Sequence, residues 1–552
     1  MAVEVAVGGV EVVDCCSAAG PEHETTAADA KISVDPNLNR CTSSIYRRFA
    51  PTGYRAPRSP MGSPKGPSSG IGGQGNGRRW RFTAPLGLVV LIGAAVRVPL
   101  LGQVMRNDEV VTATRFAVDL SNAVTNYSAP NNHILHTVLV NLSSSIFGLD
   151  AWVVRLPALI FGLLLIVAVD WWIFSATGRR NGALLAAALV AGSSMLIEYS
   201  TVSRGYTMVA VAFVVLLEVG RRLLVEPSFR RWATWVIVAT AGLATVPVFA
   251  LPLSAVVAWM LLNIIAGRSR SGRDTFAQLA VAGLVTGILT VAVYIPAAMV
   301  SGVESILANP FVQPVAVSEL PYMWYRLVAN LATLVFRDGI LAVLYIISFV
   351  ISIVYNRAIF GSFLSPALAM VGPLGLALAR LVVPPQRVWL FAWPLVLGMA
   401  GAAAAFSFER WMPRLASRRW TLAFAVSVVA VMGLSTLASG EVQASREGGA
   451  FHDAPAVAEL LQDEIGPGDR IAVESHPRVV LDWYLSPAES GDPVLHRDFE
   501  NADRVFVVVY HPRPQDLAGV LEGSGLPVTE FSSPRLVWEL PETDVYVMER
   551  VG

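Results

Sequence analysis

Long apolar runs begin only after the first eighty or so residues of this 552-residue chain. From there, stretches close to the roughly 20 apolar residues needed to cross a bilayer follow one another. They lie at about 84–101, 155–176, 181–199, 205–220, 231–247, 249–266, 276–297, 338–355, 363–381, 388–407 and 420–437. One further stretch, 132–148, reads NHILHTVLVNLSSSIFG and is short and interrupted by His133, His136, Asn141 and three serines. Counting it as a span reverses the orientation of everything after it, so the arginines arbitrate. With 132–148 lying along the outer surface, four basic loops become cytoplasmic: Arg179-Arg180, Arg221 to Arg231, Arg268 to Arg273 and Arg410 to Arg419. With 132–148 spanning, all four would face outward, against the positive-inside rule. The pattern therefore predicts an interfacial helix there, roughly eleven spans, an N-terminus inside and a C-terminus outside.

Arg78, Arg79 and Arg81 precede the first span and hold the tail of residues 1–80 on the cytoplasmic side. Residues 51–77 are rich in Gly, Pro and Ser, the composition of a disordered segment. No charged stretch followed by an apolar core marks a signal peptide. The topology exports two loops, 102–154 and 298–337, and the region from about 439 to 552. The second loop holds ELPYMWYRLVANLATLVF, whose Tyr322, Trp324 and Tyr325 suit a helix at head-group level. Beyond 439 the composition changes. Strand-like runs at Arg470–Glu474 and Arg504–Tyr510, a helix-like stretch at Ala454–Glu464 and the turn Gly466-Pro467-Gly468 predict a small soluble α/β domain. The fold class expected is thus a polytopic α-helical membrane domain, 81–438, followed by that extracytoplasmic domain.

Composition agrees. The chain is 54% hydrophobic and 15% charged, with a mean hydropathy of +0.55, against roughly 25% charged residues in soluble proteins. Its 41 basic and 41 acidic residues cancel, which argues against a nucleic-acid partner. All but two of the basic residues, Lys31 and Lys65, are arginine, a bias read as the base composition of a GC-rich bacterial genome. The only cysteines, Cys15, Cys16 and Cys41, fall in the tail, so no disulfide staples an exported domain.

With so few charges, those at the outer ends of the spans are informative. Arg106-Asn107-Asp108-Glu109 follows the first span by one short step. Its acidic pair suits a general base; equally, Asn107 or Asp108 could cap a helix whose dipole favours Glu109. Pro130-Asn131-Asn132-His133 opens the interfacial helix, with His136 one turn on. Histidines at i and i+3 share a face and suit a metal or a phosphate; Asn capping is the plainer alternative. Arg204, within Glu198 to Tyr206, and Arg387, after Pro384-Pro385, sit in outer turns where an arginine either neutralises a phosphate or snorkels to the interface. His476, His496 and His511 form no ligand spacing.

The order of these motifs resembles the integral-membrane C-type glycosyltransferases, in the branch of protein O-mannosyltransferases and lipid A aminoarabinose transferases. The resemblance runs from Arg97 through Asp108-Glu109, Asn131-Asn132-His133 and Arg155-Leu156-Pro157 to Tyr199–Tyr206, and covers roughly residues 84–225. It implies a multi-pass enzyme of the bacterial plasma membrane that transfers a sugar from a polyprenyl-phosphate donor to an extracytoplasmic acceptor. It implies Asp108 as the base, Glu109 beside it in the acidic motif, and His133, Arg204, Tyr206 and Arg387 around the donor. Where relatives commonly carry an acid two positions before the arginine, this chain has Val202, with Glu198 a nearby substitute. The missing acid argues against a divalent metal, and no other cofactor is implied. The competing expectation is a lipid-carrier transporter or flippase without chemistry. Such a protein should show repeats and broken helices with polar groups near the midplane, and no repeat is evident.

Overall fold

A computed structural model describes residues 79–307, 314–339, 341–485, 499, 502–513 and 516–551. The expected cytoplasmic tail with Cys15, Cys16 and Cys41 lies outside the described residues, apart from its last two positions, and so does His496.

Each of the apolar segments contains helix. By length and composition six helical stretches can cross a membrane: Ala84–Gly102, Ala151–Thr177, Pro247–Ile265, Gly272–Ser301, Gln386–Trp411 and Arg418–Ser439. A seventh results if Arg180–Gly192 and Ser194–Ser200, which meet at a 64° bend, count as one span. The expected count of about eleven is not reached by this measure, for two reasons. Leu341–Val354 has 14 residues, which at 1.5 Å each falls short of a ~30 Å hydrocarbon layer. Tyr206–Val225 carries Glu218, Arg221 and Arg222 in its last turns. Lipid-facing character is plain on Gly272–Ser301, where Val281, Leu284, Ile288 and Val291 are exposed. The stretch Gln386–Trp411 lies instead at the centre, where Gly401 allows its backbone to approach that of Ala186 closely.

The ends of the helices sort by chemistry. Arg179 pairs with Glu409 at 2.9 Å, Asn181 donates to the Ala416 carbonyl at 2.8 Å and Arg221 to the Ser175 carbonyl at 3.0 Å. The Arg270 N–H reaches the Leu224 carbonyl at 3.0 Å. The four basic loops therefore meet at one end of the bundle. The helix Ile134–Phe147 belongs wholly to the other end. Its N-cap His133 touches Gly205, while near its C-terminus Ser143 donates to Val153, at the start of Ala151–Thr177. At 14 residues it is about 21 Å long, and both of its ends stay at that end of the bundle. Leu320–Phe336 forms a helix over the expected interfacial stretch, with Tyr322, Trp324 and Tyr325 exposed.

The C-terminal region builds a four-stranded sheet from β1 (Arg470–Val473), β2 (Arg504–Tyr510), β3 (Arg535–Glu539) and β4 (Thr543–Glu549), in the order β1-β2-β4-β3. β1 runs parallel to β2, and β4 antiparallel to both β2 and β3. The period-2 alternation sends Ile471, Phe506, Val508 and Val545 towards Val457, Leu461 and Leu481 on one face. On the other face Ala472, Val505, Val507 and Met548 pack on Val520 and Leu526. From Val505 to Val509 β2 is apolar, because it is covered on both sides. The expected strands and the helix Ala454–Glu464 are present; the hairpin of β3 and β4 and the helix Ser475–Leu485 were not expected. The domain docks on the first loop: Val479, Trp483 and Tyr484 pack against the Met105, Val110 and Ala113 cluster, and the Tyr484 hydroxyl accepts the Met105 N–H at 2.9 Å.

Candidate functional site

After the first span the chain turns through a short 3₁₀ segment into the helix Asn107–Val111. Its two acids meet different surroundings because successive helical side chains diverge by about 100°. Glu109 points inward and is fully buried. Arg155 Nε and Nη2 donate to its two oxygens at 2.8 and 2.6 Å, the Ser203 N–H to Oε1 at 2.6 Å and the Arg106 N–H to Oε2 at 3.1 Å. Arg155 also donates to the carbonyls of Leu101, Gln103 and Val104. Burial pushes the Glu109 carboxyl up, but Arg155, Arg106 and the Ser203 N–H outweigh it and hold it below the ordinary range. This pair ties three chain segments together and leaves neither oxygen facing a substrate.

Asp108 points the other way. Its side chain is 22% exposed, with Oδ2 3.4 Å from Arg204 Nη2 and Oδ1 3.4 Å from Asn131 Nδ2. Both contacts are long, so this carboxylate is held loosely and open to solvent. Its backbone is held firmly: the N–H groups of Asn107 and Asp108 each reach a carbonyl, of Gly449 and Gly448, at 3.1 Å. Arg204 also donates to the Asn131 carbonyl at 3.2 Å and lies 5.9 Å from the Tyr206 ring centre.

His133 is buried, and its Nδ1 accepts the Gly205 N–H at 2.9 Å, which leaves the ring proton on Nε2. Burial, with the charges of Arg204 and Arg387 and the neighbouring His136, holds it neutral well below the usual imidazole value. A side chain at Gly205 would collide with Thr245 and reach within 3.0 Å of His133 Nδ1, so only glycine fits. Tyr206 packs edge-on to His133 at 5.2 Å and to Tyr199 at 5.4 Å. His136 is also buried, and among the described residues its ring nitrogens have no partner; burial and Arg204 push it down to about 3. The two histidines therefore do not offer a joint open face to a metal or phosphate, because one nitrogen is taken and the second ring is enclosed.

Arg387, after the Pro384-Pro385 turn, is half-buried and pairs with Glu447 at 2.8 Å. Arg106 pairs with Glu198 at 2.9 Å and donates to the carbonyls of Glu447 and Val442. Arg337 reaches the second Glu198 oxygen at 2.5 Å. The structure thus gathers Asp108, His133, Arg204, Tyr206 and Arg387 at one end of the bundle, and sets Glu109 apart behind them. Sequence reasoning missed Glu447 and Tyr484, which lie more than 300 residues beyond Asp108 in the chain and carry no local motif. The roles of Arg106 and Arg155 were recoverable, since each flanks a motif residue at an outer end.

Val202 stands where relatives commonly carry the acid that would help hold a divalent metal. Val202 is buried, both oxygens of Glu198 face arginines, and among the described residues no group of three or more His, Cys, Asp or Glu side chains assembles.

No family model matches the chain, and no curated protein matches it. Among solved structures it is similar to apo ArnT from Cupriavidus metallidurans, at 16% identity over 84% of this chain and 98% of that one, with a TM-score of 0.46. ArnT from the same organism bound to undecaprenyl phosphate gives 15% identity, coverage of 84% and 97%, and a TM-score of 0.46. The archaeal oligosaccharyltransferase AglB from Archaeoglobus fulgidus gives 14% identity, coverage of 74% and 61%, and a TM-score of 0.43.

Proposed function

We propose that this chain is a membrane glycosyltransferase that moves a sugar from a polyprenyl-phosphate donor to an acceptor hydroxyl on the extracytoplasmic side. The observation that carries this reading is the meeting, at the end of the bundle opposite the arginine loops, of a solvent-reachable carboxylate, Asp108, with Arg204 at 3.4 Å and Arg387 nearby. Displacing a sugar from a phosphate needs a base at the acceptor and cations where charge develops on the leaving group. Asp108 takes the hydroxyl proton as the acceptor oxygen bonds to the anomeric carbon. The bond from that carbon to the phosphate oxygen breaks, and its electron pair leaves with the phosphate. A single in-line displacement inverts the anomeric configuration.

Arg204 and Arg387 meet the phosphate, because a guanidinium stays charged beside lipid and matches phosphate oxygens two at a time. Neutral His133 acts through structure: it fixes the turn at Gly205 and so the direction of Arg204. Glu109 is assigned the same kind of role through Arg155. The segregation of basic loops from the site supports an outward-facing reaction. The test is an in vitro assay of the purified chain with a panel of polyprenyl-phosphate sugars. Transfer of label from one donor to an acceptor supports the enzyme. Movement of intact lipid across vesicles without transfer from any donor would replace it with the transporter.

A further inference from the structure

Several arginine–carboxylate pairs gather at this end of the bundle, and they differ in how readily a ligand could part them. Arg155–Glu109 and Arg106–Glu198 have side chains no more than 2% exposed, and opening either strands a charge away from water. Arg337 shares the same buried Glu198. Arg204–Asp108 involves the proposed base itself. A further pair, Arg387–Glu447, is in direct contact at 2.8 Å, yet its side chains are 27% and 38% exposed. It is the pair that a lipid head group can enter.

We propose that Glu447 competes with the donor for Arg387: its carboxylate occupies the guanidinium until an anionic head group takes its place. This rests on the reading of Arg387 as a phosphate anchor. The backbone beneath Glu447 is fixed independently of its side chain. Arg106 Nη1 donates to the Glu447 carbonyl at 3.0 Å, and the next two carbonyls, of Gly448 and Gly449, take the N–H groups of Asp108 and Asn107. Both glycines have positive φ, +76° and +75°, a conformation that a side chain would disfavour. The carboxylate can therefore swing into water while the turn beside Asp108 stays in place.

The exchange conserves charge pairing. A phosphate takes over the guanidinium, and the freed carboxylate regains its hydration. A neutral lipid cannot make this exchange, since removing Glu447 would leave Arg387 uncompensated. Glu447 thus weakens binding of that anion by the strength of the pair it replaces. For a partly exposed pair this corresponds to about a two- to fivefold effect on affinity.

The test titrates the purified full chain in detergent with a long-chain polyprenyl monophosphate and with the matching neutral polyprenol, for wild type, Glu447→Gln, Glu447→Ala and Arg387→Gln. The expected result is that both Glu447 variants bind the phosphate about two- to fivefold more tightly, while Arg387→Gln binds it more weakly. Polyprenol binding should not change between wild type and Glu447→Gln. Unchanged or weaker phosphate binding in both Glu447 variants, with wild type still preferring phosphate over polyprenol, overturns the proposal and makes Glu447 a structural support. A wild type that does not distinguish phosphate from polyprenol overturns the donor reading itself.

Discussion

Asp108 and Glu109 are neighbours in sequence, and the direction of each side chain decides what it can do. Glu109 accepts from Arg155, Ser203 and Arg106 and has no exposed surface. Glu109→Gln should therefore cost stability, about 3–5 kcal/mol for a buried pair broken on one side, and appear as loss of folded protein after extraction. The buried histidines give a pH dependence whose sign follows from their depressed values. Below pH ~6.5 the unfolded chain takes up protons at His133 and His136 that the folded chain refuses, so stability falls as pH drops from there towards 3. The expected slope is on the order of 1 kcal/mol per pH unit for each ring. Thermal midpoints at pH 7 and pH 5 check this, and His136→Phe should make the difference between them smaller. An unchanged difference would show that His136 takes up a proton in the folded state.

At the scale of elements, the helices and the first two strands were legible because apolar run length and alternation are local properties. The arginine loops led to the expectation that 132–148 does not cross, and the helix Ile134–Phe147 begins and ends against the same end of the bundle. The break at Ser193 was not legible. An apolar run gives no sign of where it bends, and here Asp338, distant in sequence, meets the second half by accepting from Ser194 N–H at 3.0 Å and Oγ at 2.7 Å. The segment at 448–449 was equally hidden, since its role lies in backbone carbonyls. Gly449→Ala places a methyl 2.9 Å from Asn107 Cβ at a φ of +75°, which should shift the Asn107–Asp108 backbone. The expected outcome is a kcat lowered about tenfold, with KM for the donor nearly unchanged, because the anion anchors are untouched. A rise in KM with normal kcat would argue that this segment serves donor binding alone.

At the scale of the whole molecule, the bundle separates four basic loops from the site and from the C-terminal domain. If the basic end is cytoplasmic, single cysteines at Arg446 and Arg414, in a chain whose native cysteines are replaced, should label from opposite sides of the membrane. Arg446→Cys should react with an impermeant reagent in intact cells and Arg414→Cys only after permeabilisation; the reverse pattern would turn the reaction inward. The central claim is that Asp108 is the base of a sugar transfer carried out at the outer end. Its most direct test compares Asp108→Asn with wild type for transfer from a polyprenyl-phosphate sugar, alongside binding of that donor. The account predicts transfer lowered by about 10²- to 10⁴-fold, with membrane insertion intact and donor still bound. Undiminished transfer by Asp108→Asn would contradict it.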